Sequence, residues 1–252
     1  MLALTRRGHG LSDWSDGGYS VQALTADVAS FLQELELQQV ILIGHSIAGN
    51  ELTALAGMVP ERIAALVYLD AAMDRAGVAQ RLAADPIRPS APDFKVETLD
   101  DVRRLGQQHY SGFWNDALEA GVRDSVRCDD THRLTGRPAP GPGLTMGEQQ
   151  GHVPQYSGIG CPALAIYATY TEDTPHWGVR DEMSAEVKDA AARFMRETMM
   201  PWQRASIERF RQEVPLGQVV EWPGAHHDFY LFEQDRVVQE IQSFLAGVRR
   251  IK

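Results

Sequence analysis

A short apolar run, Val40–Ile43, leads directly into the sequence Gly-His-Ser-Ile-Ala at positions 44–48 and then into a helix-forming stretch. A serine at a sharp turn between a buried strand and a helix has its hydroxyl exposed above the sheet. Gly44 and Ala48, two residues before and after Ser46, are small, which lets neighbouring backbone approach closely. This pattern is a nucleophile elbow, with Ala48 where glycine is commoner. It makes Ser46 the candidate nucleophile and indicates hydrolytic chemistry.

Apolar patterning on both sides of this turn predicts alternating strands and helices. Val21–Leu35 has apolar residues at helical spacing, and Asp181–Phe210 is largely helical with an expected interruption at Pro201. The predicted strands are Met1–Thr5, Val40–Ile43, Ala65–Leu69, Ala163–Tyr167 and Gln218–Trp222. Strands that alternate with helices predict an α/β fold, with a mostly parallel, doubly wound sheet covered on both faces.

The regular pattern loosens between residues 73 and 159, where prolines separate short helical segments. An irregular insertion of this length between two strands is best interpreted as a helical lid over a pocket. We therefore predict a core made of residues 1–72 and 160–252, with residues 73–159 as the lid. The chain of 252 residues is long enough for this organisation.

Composition excludes several classes of function. A formal net charge of −10 argues against nucleic acid or an anionic membrane as the main partner. No apolar run reaches the length of a membrane-spanning helix. The two cysteines, Cys128 and Cys161, lack the spacing of metal ligands, so we expect no metal site. We expect both to be reduced thiols in a cytoplasmic protein, with one disulfide as the alternative.

Four segments in a fixed order carry a resemblance that extends over almost the whole chain. They are Arg7–Asp13, Gly44–Ala48, Pro60–Ile63 and Pro223–His227. In this order they resemble the α/β-hydrolase superfamily, and Gly-His-Ser-Ile-Ala-Gly resembles the elbow of bacterial members. In that family another strand lies between the strand matching Met1–Thr5 and the elbow strand. The resemblance thus implies an N-terminally truncated sheet. We expect the given start to be internal to a longer natural chain; the alternatives are that the strands beside the gap pair with each other or that another chain fills it.

The resemblance also implies the order of the site residues, which is serine, then acid, then histidine. A serine needs a base within hydrogen-bonding distance, and that base needs a third group to orient it. The family places its base four residues after a proline that follows the last strand, and Pro223 plus four is His227. His226 is the competing candidate.

Two aspartates compete for the place of the acid. The common family position follows the strand Ala163–Tyr167, which favours Asp173. Some members take the acid from the end of the preceding strand instead, and there the candidate is Asp70. A histidine loop can accept an acid from either strand end, so both candidates remain open.

The family stabilises the oxyanion with two backbone N–H groups. Ile47, directly after the serine, supplies the first. The second belongs to a His-Gly segment that this chain lacks, and loss of one such donor lowers the rate about 100–1000-fold. The resemblance implies no cofactor.

The leading hypothesis is a serine hydrolase that acts on a small ester, a lactone or a related acyl compound. A non-catalytic scaffold that binds a ligand or partner is the second, and a cofactor-free lyase or peroxidase-like enzyme is the third. Five side chains of the lid region and its surroundings are candidates to line an apolar substrate pocket: Tyr110, Phe113, Trp114, Met146 and Trp177. An exposed strand edge would favour pairing with a second copy of the chain.

Overall fold

The computed structural model describes residues 1–87, 95–110, 112–136, 139–176, 179 and 182–248. The chain divides into two compact units. The first unit combines Met1–Ser20 with Pro89–Gln149, and the second combines Val21–Arg88 with Gln150–Lys252. The prediction of a lid over residues 73–159 stays a prediction.

A parallel sheet of four strands forms the centre of the second unit. The strands are β1 (Val40–His45), β2 (Ile63–Leu69), β3 (Ala163–Thr169) and β4 (Gly217–Pro223). They lie side by side in the order β1-β2-β3-β4, and every neighbouring pair is parallel. All four carboxyl ends therefore meet at one edge of the sheet, which is where ligands bind in open α/β folds.

Helices occur in both units. In chain order, the described helices are α1 (Val21–Glu34), α2 (Ala48–Met58), α3 (Val78–Ala84), α4 (Leu99–His109), α5 (Asp116–Asp124), α6 (Gly141–Glu148), α7 (Ala185–Phe194), α8 (Met200–Glu213), α9 (Phe229–Phe232) and α10 (Gln234–Val248). Short 3-10 turns occur at Pro60–Arg62 and Tyr156–Gly158. The predicted α/β class is confirmed, since α1 and α2 alternate with β1 and β2 as the periodicity indicated.

Two apolar cores cover the two faces of the sheet. On one face, Tyr68 and Tyr167 pack with Phe210 of α8. On the other, Ile166 packs with Trp222 and the α10 side chains. Because β2 and β3 are buried on both faces, their sequences are continuous apolar runs rather than alternating ones.

Strand β1 lies at an edge of the described sheet and is covered on one face only. Val40 and Leu42 pack against the α8 side of the core. Ile41 and Ile43 point the opposite way and are 43% and 48% exposed. The alternation follows from the pleat of a strand, whose successive side chains face opposite ways.

The prediction of a strand at Met1–Thr5 was wrong, because this segment has no regular secondary structure. Its apolar side chains are not buried: Leu2 is 63% exposed and Leu4 is 41% exposed. Without burial of one face, little hydrophobic free energy favours an extended, paired conformation.

Pro201 does not interrupt its helix as predicted. It occupies the first turn of α8, where a missing N–H costs no intrahelical hydrogen bond. A π-helical turn, Met195–Met199, joins α7 to α8. The chain therefore stays helical through the proline, because the wider turn absorbs the change in the hydrogen-bonding pattern.

The first unit is held together by caps and polar contacts as well as by apolar packing. Thr98 and Asp101 form a reciprocal capping box at the start of α4. The Nε1–H of Trp114 donates to Glu119 of α5, 3.2 Å away, and Arg103 of α4 pairs with the same carboxylate. These contacts fasten α4 to α5.

Within the described part of the chain, no helix is both long and apolar enough to cross a membrane.

Candidate active site

Ser46 directly follows β1 in a left-handed backbone conformation, with φ of 55°. Its N–H donates to the carbonyl oxygen of Leu69 over 3.1 Å, which extends the pairing of β1 with β2 by one residue. Helix α2 starts two residues later. A left-handed conformation costs a non-glycine residue about 1–2 kcal/mol, and such strain concentrates at functional sites.

Close packing beneath this turn depends on two glycines. A Cβ on Gly49 would overlap the backbone carbonyl oxygen of Ala71, and a Cβ on Gly44 would overlap the side chain of Leu52. The close backbone approach expected at Gly44 and Ala48 therefore occurs at Gly49. A carbonyl group of the main chain can give way less easily than the end of a leucine side chain, so Gly49 is the stricter requirement.

Asp70 occupies the matching position after β2 and also has a left-handed backbone, with φ of 46°. Its N–H donates to the carbonyl oxygen of Ile166 over 2.8 Å. Its Oδ1 accepts the N–H of Ala168, 3.1 Å away, and only 6% of the residue is exposed. Hydrogen bonds from both the main chain and the carboxylate thus fix Asp70 against the end of β3.

His227 lies in the loop that follows β4. The loop begins with Gly224, whose φ of 72° suits glycine and whose N–H donates to Thr169 over 2.8 Å. The Nδ1 of His227 is 2.6 Å from Oδ2 of Asp70, and its Nε2 is 3.0 Å from Oγ of Ser46. With the proton on Nδ1, the imidazole donates to the carboxylate and accepts from the serine hydroxyl.

The electrostatic surroundings favour the protonated form of His227. Burial alone would lower its pKa, but the hydrogen bond and charge of Asp70, together with the charge of Asp228, outweigh burial. Arg75 acts in the opposite direction and only reduces this effect. The pKa of His227 is therefore raised above its ordinary value of 6.5.

The structure brings Asp70, and not Asp173, to the candidate base. Asp173 is exposed in the loop after β3 and makes no hydrogen bond to His227. The buried side chain of Gln203 binds the chain just before Asp173, because its amide donates to the carbonyl of Ala168 and accepts from the N–H of Tyr170. These bonds hold the chain after β3 against α8.

The structure also locates the oxyanion candidate, Ile47, and the competing histidine, His226. The backbone N–H of Ile47 has no acceptor among the described residues, as a donor reserved for a ligand requires. His226 is 43% exposed at its side chain and accepts the N–H of Asp228 at Nδ1 over 3.0 Å. It is His227, not His226, that lies within hydrogen-bonding distance of Ser46.

Four of the five predicted pocket residues fall in the first unit. Tyr110, Phe113, Trp114 and Met146 belong to the first unit, whereas the serine, aspartate and histidine belong to the second. Trp177 lies outside the described residues. Their role in substrate binding stays a prediction.

Across the described ranges, no group of three or more His, Cys, Asp or Glu side chains is arranged to hold a metal ion.

The second unit is a parallel sheet wound with helices. A serine with a left-handed backbone follows one strand, and an imidazole and a carboxylate lie at the same edge of the sheet. This arrangement is typical of the class of α/β folds that carry a nucleophile. Residues 1–240 match the model of the alpha/beta hydrolase family, and the chain belongs to that family.

Relatives with named activities match short stretches of the chain. The 2-(acetamidomethylene)succinate hydrolase of Mesorhizobium japonicum is 32% identical over 69 residues, 27% of this chain and 25% of that protein. The non-heme chloroperoxidase of Streptomyces lividans is 38% identical over 72 residues, 28% of this chain and 26% of that protein. Each of these matches thus spans about a quarter of the relative's own length.

Solved structures resemble the chain over nearly all of its length. The crystal structure of E-2-(acetamidomethylene)succinate hydrolase superimposes with a TM-score of 0.64. The match covers 96% of this chain and 79% of that one, at 22% sequence identity. At this level of identity the likeness shows the fold alone, which agrees with the parallel sheet described above.

Proposed function

We propose that the protein is a serine hydrolase that acts on a small ester, a lactone or a related acyl compound. The observation that carries the proposal is the continuous hydrogen-bonded chain from Ser46 through His227 to Asp70, with separations of 3.0 and 2.6 Å. Nucleophile, base and orienting carboxylate at these distances are the requirements of acyl transfer.

Each group has one chemical task in the proposed reaction. The Oγ of Ser46 attacks the acyl carbon while Nε2 of His227 accepts its proton, and Asp70 holds the imidazole in the Nδ1–H tautomer. The free N–H of Ile47 supports the negative charge that develops on the carbonyl oxygen. Nε2–H then protonates the leaving group. Water, activated by the same imidazole, releases the acid and restores the serine.

The experiment that tests the proposal is labelling with a fluorophosphonate probe, followed by intact-mass measurement and peptide mapping. We expect one adduct on Ser46 in the wild type and none in Ser46→Ala. Ser243→Ala, at an exposed position of α10, is the matched control and should label like the wild type. Folded wild-type protein that stays unlabelled would favour the scaffold hypothesis.

Hydrolysis is then measured directly with p-nitrophenyl esters of increasing acyl length and with simple lactones. Turnover that is lost in Ser46→Ala supports hydrolysis. Labelling without turnover of any of these compounds would still support an activated Ser46 but would reject this substrate class.

A second candidate function is peroxidase-like chemistry at the same serine. Relatives named as a haloperoxidase and a chloroperoxidase favour it. Hydrogen peroxide would replace water as the acceptor, so that the acyl group leaves Ser46 as a peracid and the serine hydroxyl is restored. Mass-spectrometric analysis of products formed from an ester with and without hydrogen peroxide separates the two functions.

A further inference from the structure

His45 stands between the nucleophile and the loop of the candidate base. It is the last residue of β1, directly before Ser46. Its ring lies 4.5 Å from the ring of His227 and 4.7 Å from the ring of Tyr230, measured between centroids. The side chain is 23% exposed. His45 is therefore packed within the loop after β4 and is not a freely exposed neighbour of the serine.

A directed hydrogen bond accompanies this packing. The Nε2 of His45 lies 3.1 Å from the backbone carbonyl oxygen of His227. Because a carbonyl oxygen can only accept, Nε2 of His45 must carry the proton and donate it. The same nitrogen is 3.6 Å from Oδ1 of Asp228, whose carboxylate is nearly buried. The carbonyl of His227 therefore selects the Nε2–H form of His45, and the nearby carboxylate of Asp228 favours the same form electrostatically.

The charge state of His45 suits this arrangement. Burial, followed by the neighbouring charge of His227, lowers the pKa of His45, so its imidazole is neutral at neutral pH. Asp228 and Asp70 are anions that face the same pair of rings, and Arg75 is a cation in their neighbourhood. A neutral His45 places no second positive charge beside His227 when that imidazole becomes protonated during a reaction.

We propose that His45 is a positioning residue that fixes the backbone of His227 relative to Ser46. It is covalently joined to the nucleophile on one side and hydrogen-bonded to the main chain of the base on the other. His45 thus links the main chain at Ser46 to the main chain at His227, and the side chains of these two residues are 3.0 Å apart. The inference rests on the proposed function, because it assigns His45 a task in the same reaction.

The size of the effect follows from the sensitivity of proton transfer to geometry. A displacement of about 1 Å between reacting groups lowers rates about 100-fold. Loss of the bond from His45 removes one restraint on the loop, while Asp70 still holds the imidazole. We therefore expect rates to fall about 10–100-fold, with a smaller effect on substrate affinity.

The test compares His45→Phe, which keeps a ring but has no donor, with His45→Gln, which restores an N–H group. The readout is the rate constant for fluorophosphonate labelling of Ser46, measured by intact mass across a pH series, with circular dichroism to confirm folding. We expect His45→Phe to be about 10–100-fold slower and His45→Gln to recover most of the rate. Where an ester is turned over, kcat should fall and KM should change little.

Wild-type rates in His45→Phe, or equal losses in the phenylalanine and glutamine variants, would overturn the inference. If His45→Phe does not fold, His45→Met takes its place as a variant of similar reach without a donor. Equal rates in His45→Met and His45→Gln would then reject it. These results leave the proposed function intact as long as wild-type Ser46 is labelled, whereas an unreactive wild type would remove both proposals.

An independent readout needs no activity. In ¹⁵N-histidine NMR spectra at neutral pH, His45 should show the chemical shifts of the neutral Nε2–H tautomer. An Nδ1–H tautomer would contradict the hydrogen bond to the carbonyl of His227 and reject the inference.

Discussion

Ser46 and Asp70 each follow one member of a register-matched pair, His45 and Leu69, on neighbouring parallel strands. Both have left-handed backbone conformations, with φ of 55° and 46°. The pairing of β1 with β2 therefore sets the separation of the candidate nucleophile and the candidate acid before any loop is considered. His227 completes the cluster from β4, two strands away from β2.

Replacing each of the two aspartates in turn should show which one acts as the acid. Asp70→Asn removes the carboxylate that holds the Nδ1–H tautomer, and a change of this kind in a Ser-His-Asp triad lowers kcat about 10,000-fold. Asp173→Asn should leave the rate of probe labelling unchanged, since its side chain is exposed and away from the histidine. A large loss in the second variant and none in the first would reassign the acid.

The pH dependence of labelling should report the protonation of His227. The imidazole accepts a proton from Ser46 only when neutral, and its pKa is raised, so the rate should rise with pH through a midpoint above 6.5. Asp228→Asn removes an anion that stabilises the protonated form, so the midpoint should move to lower pH. Asp235→Asn, exposed on α10, serves as the control. A midpoint that rises in Asp228→Asn would contradict the assigned cause.

Two alanine substitutions in α2 should have opposite effects on stability. Gly49→Ala places a methyl group against the carbonyl of Ala71, and such overpacking costs about 1–3 kcal/mol. Gly57→Ala meets no atom within 4 Å and should stabilise the helix by about 0.5–1 kcal/mol. Urea unfolding followed by tryptophan fluorescence measures both. Equal free energies of unfolding would show that α2 shifts to accommodate the methyl group.

Gln203 should contribute strongly to stability through its two bonds to the main chain. Gln203→Met leaves the carbonyl of Ala168 and the N–H of Tyr170 without side-chain partners, and each buried unpaired group costs about 1–3 kcal/mol. We expect a loss of about 2–4 kcal/mol in the free energy of unfolding. Gln212→Met, exposed on the same helix, should change it by less than about 0.5 kcal/mol. A loss below about 1 kcal/mol in Gln203→Met would show that these two main-chain groups find other partners.

The sequence predicted those features that local pattern determines. The elbow around Ser46 is a strand, a turn and a helix within a few residues, and the family resemblance implied His227 from its place four residues after Pro223. The choice between Asp70 and Asp173 was beyond such reasoning, because it depends on where the chain runs after β3. That path is set by Gln203, 35 residues from its partner Ala168 in sequence.

The same limit applies to His45, because its place directly before Ser46 does not indicate which group its side chain binds. Its hydrogen-bond partner is the main chain of His227, 182 residues away in sequence. No periodicity or motif reports which backbone carbonyl a histidine will meet. The strict requirement for glycine at position 49 was not predicted for a related reason. The backbone that a Cβ at Gly49 would overlap belongs to Ala71, which follows the next strand.

An acid carried by β2 has a practical value for protein engineering. The proposed triad draws on β1, β2 and β4, so the segment Thr171–Pro175 after β3 holds none of its members. Insertions or randomised libraries placed there would leave the nucleophile, base and acid encoded elsewhere. In the chain, the segment that usually carries the acid in this family is thus open to redesign without loss of a proposed triad member.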